Sequence, residues 1–490
     1  MEVDQKEEQS KSSEYQEKYR PQYHFTPSSG WMNDPNGMVY YAGEYHLFYQ
    51  HNPDSTVWGP MHWGHAVSKD LVHWEHLPIA LYPDSLGTIF SGSAVLDQNN
   101  TSGLGTKNNP PLIAIYTYHN AKLEEAGGNK YQTQGIAFSV DSGRTWQKYK
   151  GNPVLKNPGI KDFRDPKVRW HEKSQKWIMS LAVKDKISFY SSPDLLEWNF
   201  ESDFGQEKGA HGGVWECPDL FPLEIAGEEK WVLLVSINPG GPNGGSATQY
   251  FIGDFDGENF TTAQEETLWI DYGTDNYAGV TWSNVDDKKI FLGWMSNWDY
   301  ANIVPTENWR SAMTIARELS LANVNGKLRL INKPIENYKN HLQKKSYDWE
   351  IVEQDSFQIK KASEWTEINF KNSFEDHQRI EINFFNDNGE ELLFNINFEE
   401  DIVSFDRSLI ENHNFSPKFK TVQKAPLNFS SDQLKIEIYK DASSLEIFIN
   451  EGELVMTALY FGKKDLNRMK ITSNKNMTAN IKVSDFHSIW

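Results

Sequence analysis

Three acidic side chains in this sequence stand in flanks that suit them to chemistry. Asp34 lies in Trp31-Met32-Asn33-Asp34-Pro35-Asn36-Gly37, Asp165 in Phe163-Arg164-Asp165-Pro166, and Glu216 in Trp215-Glu216-Cys217-Pro218-Asp219. Asp-Pro-Asn-Gly alone is a strong turn signature: Pro presets φ, and Asn or Gly accepts positive φ after it. Yet an aromatic, a thioether and an amide precede it, a poor flank for a solvated turn. Arg-Asp-Pro alone is a common surface ion pair before a turn, and Glu-Cys-Pro a half-buried strand end. Together the motifs supply what glycoside cleavage requires. One carboxylate attacks or orients at the anomeric carbon, and one carboxylic acid protonates the leaving oxygen. A third acid can hold sugar hydroxyls and tune the other two. Trp215, Cys217 and Pro218 give Glu216 the apolar flank expected of a general acid. Donors such as Asn33 favour an ionised Asp34 as nucleophile, and Arg164 is expected to keep Asp165 charged.

Residues this far apart share a site only if the fold gathers them. Short strand-like runs dominate the first two-thirds of the chain, for example Met38-Val39-Tyr40-Tyr41 and Tyr45-His46-Leu47-Phe48-Tyr49, separated by Ala42-Gly43. A motif recurs: Ser68-Lys69-Asp70-Leu71-Val72-His73-Trp74, then Ser139 to Trp146, Ser192 to Trp198 and, more weakly, Asp254 to Phe260. Each places an Asp turn just before an aromatic that can tuck under a hairpin. The spacing, about 50 to 70 residues, is that of β-propeller blades. Four copies and room for one more before residue 330 predict five blades in an all-β chain. The unusual stretches fall one per unit: Phe90-Ser91-Gly92-Ser93 in the second, the Asp165 and Glu216 motifs in the third and fourth, and Asp275-Asn276-Tyr277-Ala278 with Gly293 to Trp298 in the fifth. The strand lining a propeller's axis comes early in each blade, so Asp34, Asp165 and Glu216 are expected to face one central funnel.

Beyond the propeller, alternating runs such as Arg379 to Phe385, Lys435 to Tyr439 and Ser444 to Ile449 predict an antiparallel β-sandwich. It shows no convergent acid pair and is expected to be a packing or weak sugar-binding module. The expected organisation is a disordered leader or tether over 1–19, a propeller over 20–332, a linker over 333–345 and a sandwich over 346–490.

Composition narrows the partners. With 490 residues, two domains are the prior. Eighteen Trp leave indoles to spare for stacking on sugar faces. The net charge of −20 carries no clustered Lys and Arg for phosphate, which argues against nucleic acid. The single cysteine, Cys217, excludes an intramolecular disulfide. No apolar run is long enough to span a bilayer, and Met1 to Arg20 lacks the apolar segment of a signal peptide. The polar leader favours an exported protein whose signal has been removed, periplasmic, secreted or held at the cell surface by a lipid or tether, over a cytoplasmic one.

The three acidic motifs resemble those of glycoside hydrolase family 32, which contains invertases, levanases and inulinases. The resemblance runs from about residue 20 to the end. It includes Asp441-Ala442-Ser443-Ser444-Leu445-Glu446-Ile447-Phe448, which looks like the family's usual sandwich hairpin. It implies a five-bladed propeller joined to a β-sandwich and a retaining mechanism without metal or cofactor, through a covalent fructosyl-enzyme. It implies Asp34 as nucleophile, Glu216 as acid/base and Asp165 as the acid that holds fructose hydroxyls. Asn33, Gln50, Trp58, Phe90, Ser91, Arg164, Asp275, Tyr277 and Trp294 match the sugar-binding positions. Ile89 to Val95, Asn99 to Gly103 and Gly293 to Trp298 resemble the fructan-degrading branch, so levan or inulin is the expected substrate, with sucrose as a further one. Three alternatives stay open: a fructan-binding protein without catalysis, a fructosyltransferase, and a sialidase. The last would need an arginine cluster and a Tyr nucleophile instead of carboxylates.

Overall fold

The second strand of each blade lies between its neighbours and is the most uniformly buried. These strands are Glu44–Asn52, Leu112–His119, Lys176–Val183, Glu228–Asn238 and Lys289–Met295, buried over most of their length. The outer strands Glu75–Leu81 and Asn199–Phe204 are only partly buried, as strands with one wet face should be. The computed structural model describes residues 15–360, 363–371, 377–412, 414–427, 429 and 434–490. It is a five-bladed β-propeller followed by a C-terminal β-sandwich.

Each blade is an antiparallel meander whose first strand faces the axis. These innermost strands are Gly30–Tyr41, Thr88–Leu96, Phe163–His171, Val214–Ile225 and Tyr277–Thr281, and each packs against the next around a closed ring. The ring closes where Trp309–Arg310 pairs in parallel with Gly30 and Trp31 of the first blade. The recurring Asp motif is the link from third to fourth strand. In the first blade the Asp70 carboxylate accepts the N–H groups of Val72 and His73 at 2.9 and 2.8 Å. Asp194 and Asp256 make the equivalent pairs. The fifth blade turns instead through Asn325-Gly326, which is why no fifth copy is visible.

The Asp-Pro-Asn-Gly stretch is not a reverse turn. It runs inside the strand Gly30–Tyr41, fully buried, with two register shifts against the second strand. Its turn-like residues serve a bulge, and Gly37 at φ +53° lies where a Cβ would meet Phe48 and Trp63 at 2.6 and 2.7 Å. Of the expected leader, residues 1–14 lie outside the described part, whereas Tyr15 stacks on Trp490 with ring centroids 4.0 Å apart and Tyr19 is buried. Within the segment read as a linker, the last propeller strand ends at Pro334, Glu336–His341 forms a 3-10 helix, and Leu342–Ile359 is already a strand of the sandwich.

The sandwich is one continuous sheet folded on itself. Its long strand Arg468–Phe486 pairs through its early residues with Arg379–Phe385 and through its late residues with Trp365–Phe370. Ile368, Ile382, Phe394, Ile436 and Ile447 fill the space between the leaves. A second apolar cluster crosses between the units, joining Trp31, Tyr277 and Trp294 of the propeller to Trp365, Tyr439 and Phe448 of the sandwich. Buried ion pairs reinforce it. Arg317 bonds Asp271 at 3.0 Å and Thr457 at 2.8 Å, and also Glu446. His24 lies between Asp441 at 2.7 Å and Glu446 at 2.9 Å. The hairpin around Asp441 and Glu446 is thus the sandwich's docking edge. Burial opposes the His24 charge, but its bonds to Asp441 and Glu446 outweigh that and raise its pKa to about 9.

Candidate active site

A β-bulge recurs at the same level of all five innermost strands. Register shifts fall between Met32 and Pro35, Ile89 and Gly92, Glu216 and Asp219, and Tyr277 and Val280, and opposite Asp165. Asp165, Cys217 and Ala278 take positive φ at these points, 63°, 45° and 53°. A bulge breaks the in-out alternation of a strand and re-aims the side chains beside it. Here it turns Asp34, Ser91, Asp165 and Glu216 into one cavity of about 360 Å³ at the mouth of the propeller.

Asp34 is held on both oxygens. Asn33 Nδ2 donates to Oδ1 at 2.8 Å, and the Ser91 hydroxyl donates to Oδ2 at 2.5 Å. The Trp31 indole donates to Asn33 Oδ1 at 2.7 Å, which fixes the amide with its NH₂ toward Asp34. Burial pushes the Asp34 pKa above the usual carboxylate range, the Ser91 and Asn33 bonds pull against it, and the Glu216 charge adds to the rise.

Asp165 accepts the Cys217 N–H at 3.1 Å. The Cys217 thiol touches Asp165 Oδ2 at 3.7 Å and Asp34 Oδ2 at 3.5 Å, so one sulfur separates the two carboxyl groups. Arg164 does not hold Asp165 in the ordinary charged range. Its guanidinium lies 4.0 Å from Asp165 but 2.9 Å from Glu216 and 2.7 Å from Asp162. Burial therefore prevails over Arg164, and with Glu216 and Asp34 nearby the Asp165 pKa rises to about 7.

Glu216 is not in the apolar setting its chain neighbours imply. Trp215 points to the other face of its strand and packs on Phe251. The Glu216 carboxyl meets Arg164 Nε and Nη2 at 3.2 and 2.9 Å and the Tyr277 hydroxyl instead. Cys217 is buried, and burial together with the surrounding carboxylates drives its thiol pKa well up.

Nine of the twelve residues singled out from sequence line this cavity: Asn33, Asp34, Gln50, Trp58, Phe90, Ser91, Arg164, Asp165 and Glu216. Three do not. Tyr277 is 1% exposed, with its hydroxyl on the Glu216 carboxyl. Trp294 is fully buried, with its indole N–H on the Met32 carbonyl at 3.1 Å. Asp275 is also fully buried, bonded to Arg407 at 2.8 Å, the Tyr300 hydroxyl at 2.6 Å and the Leu459 N–H at 2.9 Å. It is a strut between propeller and sandwich, not a sugar contact.

Sequence alone missed the wall formed by His119, Glu124, Tyr131, Gln132, Asp162 and Trp298. His119 stacks flat on Phe90, centroids 4.2 Å apart, and pairs with Glu124 at 3.1 Å. Trp298 had a signal. The strand Lys289–Met295 ends before it, so Trp298 is free to leave the blade while Trp294 stays inside.

Three carboxyl groups crowd the floor of one pit, an arginine holds one of them, Glu216, and aromatic rings line the wall. That is the equipment of a glycoside hydrolase, set for proton transfer and attack at one sugar ring. The chain belongs to the glycosyl hydrolases family 32: the family's N-terminal domain matches residues 24–334 and its C-terminal domain residues 333–488. The levanase of Bacillus subtilis (strain 168) is 49% identical over 461 residues, covering 91% of this chain and 67% of that protein. The extracellular exo-inulinase of Aspergillus niger is 38% identical over 519 residues, covering 97% and 95%. The crystal structure of the exo-inulinase from Aspergillus awamori superposes with a TM-score of 0.87 at 34% identity, covering 97% of this chain and all of the other.

Proposed function

We propose that this enzyme hydrolyses β-fructofuranosidic bonds of levan or inulin, and of sucrose, with retention. Asp34 attacks the anomeric carbon to form a fructosyl ester while Glu216 protonates the leaving oxygen. Glu216 then takes a proton from the water that cleaves the ester. Asp165 holds ring hydroxyls whose bonds strengthen as positive charge develops. The carrying observation is Asp34, which is bonded on both oxygens, needs no reorientation to attack, and shares its pit with Glu216. Arg164 and Tyr277 fix the Glu216 carboxyl toward the same pit. Buried acids beneath a half-exposed Trp58 suit entry of a chain end. The levanase and exo-inulinase relatives support a fructan as substrate, and the extracellular ones support export.

Chromatography of products from levan, inulin and sucrose tests this. The expected result is free fructose from at least one fructan and from sucrose, absent in Asp34→Asn. Binding without fructose release, or transfer of fructose to sugar acceptors in place of water, would overturn it.

A further inference from the structure

Away from the pit, among the described residues, one trio of potential metal ligands converges: Asp70, His73 and His341, whose donor atoms all lie within 4.8 Å of one another. We infer that Asp70, His73 and His341 form a site for a zinc-like divalent transition metal, which clamps the first blade to the segment leading into the sandwich.

The donor set is right for such an ion. Two imidazoles and one carboxylate suit zinc, nickel or copper and leave a fourth position for water. Bonds of about 2.0–2.2 Å in a tetrahedral site place the donors about 3.3–3.6 Å apart. Here His73 Nδ1 lies 2.9 Å and His341 Nε2 3.6 Å from Asp70 Oδ2, so small side-chain shifts admit an ion. The two imidazole rings meet edge to face with centroids 4.4 Å apart, and each brings a nitrogen to the same carboxylate oxygen.

The scaffold holds the donors in place before any ion arrives. Asp70 belongs to the recurring turn of the first blade, whose N–H groups occupy Oδ1 and leave Oδ2 outward. The other copies of that turn carry no second histidine partner. Glu197 and Asn259 stand where His73 stands here. His341 ends the 3-10 helix Glu336–His341, which is itself fastened to the turn. Asn337 Nδ2 donates to the Asp70 carbonyl at 2.8 Å, and the Tyr338 hydroxyl to the Leu71 carbonyl at 3.4 Å. The carbonyl of His341 accepts the His487 N–H at 3.1 Å, so the C-terminal strand's exit is tied to the same point. Half of the His73 side chain is exposed, which gives an ion a route in from solvent. Bound there, an ion would join His341 to residues 268 and 271 positions earlier in the chain and stabilise the junction without touching the chemistry.

The test uses the full chain, stripped with chelator and dialysed against zinc alone. The expected result is one zinc per chain, a melting temperature raised by a few degrees at about 100-fold excess over Kd, and tetrahedral d–d bands when cobalt replaces zinc. His341→Ala and His73→Ala should each lose the bound zinc, the cobalt bands and the rise in melting temperature, while fructose release stays as in the parent. His73→Ala alters a half-exposed side chain, so it keeps the comparison valid should His341→Ala unfold. A parent chain that retains no zinc, or variants that retain as much as the parent, would overturn the assignment.

Discussion

His24→Gln removes the one positive charge between Asp441 and Glu446 at the docking edge of the sandwich. Its effect on stability has a magnitude and a pH window. The imidazole is fully buried, and its pKa rises from an ordinary 6.5 to about 9. A raised folded-state pKa contributes stability that is fully present below 6.5 and is lost as pH climbs through 9. At about 1.4 kcal/mol per pKa unit, that contribution is about 3 kcal/mol. Asp165 and Glu364, both raised to about 7, also make the parent's stability depend on pH, so the informative quantity is the difference between parent and variant. Urea unfolding of both proteins at pH 6, 7.5 and 9.5 supplies it, with m-values compared to check that the two units unfold together. The gap should be widest at pH 6 and narrower by about 3 kcal/mol at the alkaline end. KM should not change, because His24 lies outside the pit. A gap that stays constant across this range would refute the buried ionic clamp.

Ser91→Ala removes the 2.5 Å bond that favours the charged form of Asp34. A hydrogen bond to a charged group contributes about 1.5–3 kcal/mol, so the acidic limb of kcat/KM should move up by about 1 to 2 pH units. An unmoved limb would mean that Asp34 is not the group titrating there. Asp275→Ala leaves Arg407 buried without its carboxylate and should cost about 3–5 kcal/mol in chemical denaturation. In the same variant, KM on sucrose should stay near that of the parent, whereas a large rise in KM with unchanged stability would return Asp275 to the sugar site.

Much of this arrangement was legible because it is local. The Asp-turn repeat marks the third-to-fourth link of four blades, and its failure in the fifth follows from the Asn325-Gly326 turn there. The acidic motifs were readable because a bulge needs unusual residues: Pro35, Pro166 and Pro218 each follow or nearly follow an acid at the break in pairing. What failed depended on distant partners. Asp275 looks like another site acid until Arg407, 132 positions away, takes its charge. Glu216 has an apolar flank along the chain, but alternation sends Trp215 to the opposite face and the neighbouring blade brings Arg164 across. Asp-Pro-Asn-Gly satisfies turn rules, yet the adjoining blades bury it as strand, because tertiary packing outweighs local preference.

The ester on Asp34 is the most direct test of the whole account. In Glu216→Gln, Asp34 should still attack a fructosyl donor whose leaving group needs no protonation, but the variant lacks the base for the second step. Acid quenching followed by peptide mapping should find one fructosyl unit on the peptide that carries Asp34. Attachment to another residue, or release of fructose with inverted configuration, would contradict it.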